Sequence, residues 1–177
     1  MKRLILLILA VLVLFMVANT YQEDYYIIPD EAIRIRIIPN SNSIKDQFLK
    51  KQVKTNIELE VENDLKESKD IETSRKILTT NLNKYEQVVK EVLTNEDKNT
   101  DFNVDYGYHY FPEKKYKGVK YEAGNYESLL ITLGEGKGDN WWCVLFPPLC
   151  QLEAEDTNQD DIEYSLYVKE LFEKFIG

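Results

Sequence analysis

Two cysteines, Cys143 and Cys150, a single histidine, His109, and three glycines at alternate positions, Gly134, Gly136 and Gly138, offer the most direct routes to chemistry in this 177-residue chain. A thiol nucleophile would need Cys143 ionised, with His109 as its base. A phosphate loop would use the glycines, but Gly134–Gly138 lacks the Gly-Lys-Ser/Thr ending and runs into an aromatic stretch rather than the helix start that would hold the anion. A glycosidase would need two carboxylates, for example Glu127 and Glu135, about 5 to 9.5 Å apart beside a sugar platform such as Trp141 or Trp142. Among 31 acids such a pair near an aromatic arises by chance. One histidine and two cysteines with six residues between them match no zinc pattern. No catalytic residue, metal, cofactor or small-molecule substrate is expected from these residues.

The spacing of the cysteines favours a bond between them over a reactive thiol. Pro147 and Pro148 turn the chain stiffly between Cys143 and Cys150. Closing so small a ring would constrain the unfolded chain by roughly 2 to 3 kcal/mol. The same stretch concentrates Trp141, Trp142, Phe146, Pro147, Pro148 and Leu149 beside the glycine loop. Composition leaves two readings open: a piece of core, or a preorganised surface on which a partner buries rigid side chains.

The elements that must position these groups follow from periodicity. Ile33, Ile35 and Ile37 alternate with Arg34 and Arg36, the pattern of a strand with one buried and one wet face, with the two arginines on the wet side as second candidates for partner contact. Pro39 to Ser43 forms a turn, and Ser43 caps a helix running to about Lys66, with Ile44, Phe48, Val53, Ile57, Val61 and Leu65 taken as its apolar stripe. A second helical pattern runs from Ile71 to Val92, with a possible break at Asn81 or Asn83. Phe102 to Tyr110 alternates at period two, as a strand does. Turns are expected at Lys117-Gly118 and Gly124-Asn125, then strands over Tyr126–Leu133 and from Trp141 to Phe146. Six acids without a base fall between Glu153 and Glu163, and a last helix follows a cap at Asp160, with Tyr164, Tyr167, Val168, Leu171, Phe172 and Phe175 at helical spacing and packed on the sheet. The mixed order of helices and strands makes the fold α+β, a single domain with a mixed or antiparallel sheet packed against helices.

Lys2 and Arg3 precede fifteen apolar residues, Leu4 to Ala18, shorter than the ~30 Å hydrocarbon core requires of a stable span. Residues 1–18 therefore read as an export signal or an uncleaved anchor, 19–31 as a linker and 32–177 as the domain. Export favours the disulfide, because oxidising compartments preserve such bonds. A formal net charge of −9 argues against a nucleic-acid partner.

Two stretches, Ile28 to Ser43 (IPDEAIRIRIIPNSNS) and Gly134 to Cys150 (GEGKGDNWWCVLFPPLC), resemble the stage II sporulation protein R family. Tyr121-Glu122-Ala123-Gly124 and Tyr126-Glu127-Ser128-Leu129 support the resemblance, which covers about residues 1–150. It implies a secreted signalling protein of endospore-forming bacteria, exported from the forespore into the space between the septal membranes. Its implied partner is a membrane-embedded aspartic protease of the mother cell, which cleaves the pro-sequence from the sigma factor E precursor. The family supplies no catalytic residues, and the chain is expected not to be an enzyme. The rival expectation is an exported thiol or cell-wall hydrolase.

Overall fold

The computed structural model describes residues 3, 8, 10–12, 26–28, 31–96, 100–116, 119–150 and 161–176. Most of the export segment and linker, the Lys117-Gly118 turn, the Asp160 cap and the acidic run up to that cap lie outside the described residues. Among the described residues no helix is long and apolar enough to cross a membrane.

Four strands form a mixed sheet in the order β3 (Phe102–Phe111), β6 (Gly124–Leu133), β2 (Ile33–Ile38), β7 (Trp141–Phe146). β2 runs parallel to β6 and antiparallel to β7, while β3 and β6 form a long antiparallel ribbon. A smaller sheet joins β1 (Tyr26–Ile27), β5 (Val119–Tyr121) and β4 (Lys114–Tyr116). The helices are α1 (Ile44–Leu65), α2 (Ile71–Thr80), α3 (Leu82–Asn95) and α4 (Asp161–Ile176). The fold is α+β, as the mixed order of periodicities requires.

Alternation assigns Ile33, Ile35, Ile37, Leu129, Ile131 and Leu133 to one face of the main sheet, where all are fully buried. Leu49, Val53, Ile57 and Val61 of α1, with Leu78, Tyr85 and Val89, complete that core. The helical break falls at Asn81, which ends α2 and begins α3. Its side chain donates to Asp64 at 2.9 Å, as do Lys84 (2.7 Å) and the Tyr85 hydroxyl (3.0 Å), so one carboxylate near the end of α1 fixes the start of α3. Val168 and Phe172 of α4 are buried and the Phe175 ring meets Phe146 edge-on at 5.4 Å, whereas Tyr167, expected on the same stripe, turns to the exposed side because its neighbour Val168 takes the core position.

Three further expectations need correction. The buried stripe of α1 is Asp46, Leu49, Val53, Ile57 and Val61, while Ile44 and Phe48 are 92% and 48% exposed. Spacings of four and five between Ile44, Phe48 and Val53 carry the pattern around the helix, so its start and middle lie on opposite sides. Gly124 and Asn125 are the first residues of β6 rather than a turn, because Gly124 pairs with Phe111 at the end of the ribbon. The arginine face of β2 is not wet. β2 is an inner strand, and Phe111, Tyr121, Tyr126 and Trp142 cover Arg34.

Candidate partner-binding site

Ser43 starts α1 by accepting the amide of Asp46 at 3.1 Å, and this fixes the turn before it. The nearly buried Asp46 carboxylate accepts from Asn40 Nδ2 (3.0 Å) and Ser41 Oγ (2.6 Å), so the turn is tied to the helix that follows. That leaves the Asn40 and Asn42 side-chain oxygens aimed at the glycine loop. Asn40 Oδ1 accepts the amide of Glu135 at 3.0 Å, and Asn42 Oδ1 accepts that of Asp139 at 2.6 Å. The carbonyls of Asn40 and Pro39 take Lys137 N (3.2 Å) and Gly138 N (3.0 Å), and Lys50 Nζ donates to the Asp139 carbonyl at 2.8 Å.

The glycines are required by this clasp. Gly134 and Gly136 have φ of 57° and 63°, where a side chain is resisted. A Cβ on Gly138 would lie 2.3 Å from the Ser41 carbonyl oxygen, so this glycine serves close approach of two backbones. The loop is bound along its length, and the two sequence stretches singled out above are one structural unit.

Strand alternation and sheet order distribute the other candidates. Trp142 is 6% exposed on the Arg34 face, where its ring meets Tyr121 at 4.9 Å and Phe111 at 5.4 Å, both edge-on. The Arg34 guanidinium has no exposed surface and lies 3.3 Å from the centroid of the Tyr126 ring. Phe146, Pro147 and Leu149 are buried as well. Partner contact through Arg34, Trp142, Phe146, Pro147 and Leu149 is therefore blocked by the core they form. Trp141, Pro148 and Arg36 are half-buried. Lys54 of α1 sits 4.9 Å over the Trp141 ring. Arg36 Nη1 donates to the Tyr110 carbonyl at 2.8 Å. With the Asn140 amide oriented as its donors demand, its oxygen accepts from Arg36 Nε (2.9 Å) and Nη2 (2.6 Å). Asn140 and Arg36 thus join the clasp to one face of the sheet, and Trp141, paired with Ile37, lies on the other, so that together they form a rim at the strand ends.

The two sulfurs approach one acceptor. Cys143 Sγ lies 3.9 Å and Cys150 Sγ 3.0 Å from the Val144 carbonyl oxygen. Cys143 faces the helices, since it pairs with Ile35, whereas His109 lies on the opposite face and contacts Ser128, so the two sit on opposite sides of the sheet. The carboxylate pair is divided as well. Glu127 stands at one end of β6 and Glu135 beyond the other, roughly 25 Å apart at strand rise, too far for the paired chemistry.

Sequence reasoning missed two side-chain networks. Arg75 Nε and Nη2 donate to the two carboxylate oxygens of Glu127, at 2.6 and 2.7 Å, and Tyr106 donates to the same group at 2.8 Å. The Arg75 hydrogen bonds, aided by that of Tyr106, hold the Glu127 carboxyl below the usual carboxylate range against the effect of burial. Burial first, then the acceptor Glu127, pushes the Tyr106 phenol well up. On the other face His109 Nδ1 lies 2.8 Å from Ser128 Oγ and Nε2 lies 2.9 Å from Asp105 Oδ2, so His109 is held at both ring nitrogens. These residue types form hydrolase triads, but here Ser128 is completely buried while more than half of the Asp105 side chain is exposed. A substrate would meet the acid, not the nucleophile. The register that pairs Gly107 with Ser128 places the three residues together, which no linear spacing indicates.

Residues 29–156 match the family model of stage II sporulation protein R (spore_II_R). The chain belongs to this family. It is 40% identical over 152 residues to the stage II sporulation protein R of Bacillus subtilis (strain 168), a match spanning 84% of this chain and 68% of that protein. No solved structure matches significantly. Membership in the stage II sporulation protein R family assigns the chain a role in sporulation, and the matched region contains both halves of the clasp.

Proposed function

We propose that this chain is a secreted sporulation signal, exported from the forespore into the septal intermembrane space, that activates a membrane-embedded aspartic protease of the mother cell and so leads to processing of the sigma factor E precursor. It acts by binding rather than by turnover. The observation carrying the proposal is the clasp: the two stretches that carry the resemblance to the family are spent on holding each other, through Asn40, Asn42 and the loop amides. Preorganising a rim in this way lowers the ordering cost of association. Trp141 and Arg36, on opposite faces of the sheet at that rim, would meet the protease, and the buried Trp142 and Arg34 share the Arg36 face.

Reconstitution of the purified protein with protease and sigma precursor in membranes tests the proposal. Cleavage that depends on this chain, and that survives Cys143→Ser and Glu135→Gln in folded protein, is expected. Loss of cleavage in either variant with its melting unchanged would favour the exported thiol or cell-wall hydrolase.

A further inference from the structure

The outer face of α1 is built for contact, although none of the described elements packs on it. Ile44, Phe48 and Leu59 are 92%, 48% and 61% exposed, and at 100° per residue they share the side opposite the buried stripe, with Thr55 between them. α1 therefore carries apolar side chains on both faces. Its charges are also segregated. Apart from the nearly buried Asp46 in the first turn, Lys45, Lys50, Lys51 and Lys54 occupy its first half and Glu58, Glu60, Glu62 and Asp64 its second. This is the reverse of what the helix macrodipole favours, with acids and no base in the last turn. Lys50, Lys54, Glu58, Glu60 and Asp64 are engaged within the chain, by Asp139, by one another or by Lys84. Lys45 and Lys51 in the first half and Glu62 in the second stand at the exposed surface.

We propose that α1 is a self-association surface, pairing antiparallel with α1 of a second copy about a two-fold axis near its middle. A face that is basic at one end, acidic at the other and apolar between is complementary to itself only when reversed, the condition for an isologous contact. In that register Phe48 of each copy packs on Leu59 of the other, with Ile44 flanking, and the exposed lysines approach the opposite acidic half. Parallel pairing would set like charges together. Reversal also sets the two helix dipoles against each other, and each half then meets charge of the opposite sign. One helix of 22 residues, about 33 Å long, makes an interface at the small end of specific contacts, so pairing should depend on concentration.

The test mixes full-length chains labelled with light and heavy nitrogen, applies a zero-length lysine–carboxylate cross-linker over a range of concentrations, and identifies mixed-isotope peptides. Expected are links from Lys45 or Lys51 of one copy to Glu58 or Glu62 of the other, rising with concentration and reduced at least tenfold by Phe48→Asp or Leu59→Asp with unchanged melting. Charge reversal gives the sharper result. A Lys45→Glu, Lys51→Glu chain and a Glu62→Lys chain should each lose self-pairing, and mixing them should restore a heterodimer. A monomer at all concentrations, or a dimer indifferent to these substitutions, overturns the proposal. So does attachment of the Phe48 face to anionic phospholipid vesicles that ignores the charge of residue 62, which would make this face a membrane contact. Protease activation enters none of these readouts, so the proposal and the signalling reading stand or fall separately.

Discussion

Truncating the two adjacent tryptophans to alanine should separate stability from signalling. Trp142 is almost wholly buried, closes the aromatic enclosure over Arg34 and touches two rings edge-on. Removing a buried Trp costs about 3 to 5 kcal/mol. The loss of its two aromatic partners falls within that figure and pushes it toward the upper end. Trp141, only partly buried beneath the Lys54 ammonium, leaves a gap open to solvent rather than a closed cavity, and about 2 kcal/mol is expected. For a chain of this length each kcal/mol moves the melting temperature by about 2 to 4 °C. Trp142→Ala should therefore melt roughly 6 to 20 °C lower, and Trp141→Ala roughly 4 to 8 °C lower. Calorimetry beside the reconstituted cleavage assay, below both melting points, reads the two effects independently. Trp141→Ala should remain folded and lose activation, while Trp142→Ala should retain activity in proportion to its folded fraction. Equal melting of the two variants would refute the assignment of opposite faces. Full activity in a well-folded Trp141→Ala would remove the rim as the contact.

Gly138→Ala forces a Cβ against the Ser41 carbonyl and should cost about 1 to 3 kcal/mol, a loss readable in denaturant melts, with faster hydrogen exchange at the amides of 135–139. Glu127 has a folded-state pKa below its unfolded value, so its pairing stabilises the protein above the ordinary carboxylate pKa of about 4.3 and that contribution fades as pH falls through the folded value. Glu127→Gln should lose about 1 to 3 kcal/mol near pH 7 and show a shallower acid decline; parallel pH profiles for the two proteins would contradict this. Exported protein is expected to carry a Cys143–Cys150 disulfide, seen as a 2 Da mass gain on reduction and resistance to alkylation before it. Two freely alkylated thiols would exclude the bond.

The sequence by itself determined the local elements and the family. Ser43 had to cap α1 because its hydroxyl stands three residues before an amide that needs an acceptor, and it does so at 3.1 Å. Alternation from Phe102 and from Ile33 had to make strands, whereas sequence marked Asn81 and Asn83 only as candidates for the break that the structure places at Asn81. What periodicity cannot state is whether a second layer covers the polar side of a strand. Arg34 and Ile35 alternate as a wet and a dry residue would, yet both are wholly buried, because β2 lies between β6 and β7 and the β3–β6 ribbon, Trp142 and Tyr121 close over the arginine. The same order of strands decided which tryptophan became core. The glycine loop was legible as a place needing unusual backbone, but its partners, Asn40 and Asn42, lie more than 90 residues earlier. Hydrogen bonds across that distance exist only once the parallel pairing of β2 with β6 has brought the ends of the two strands side by side.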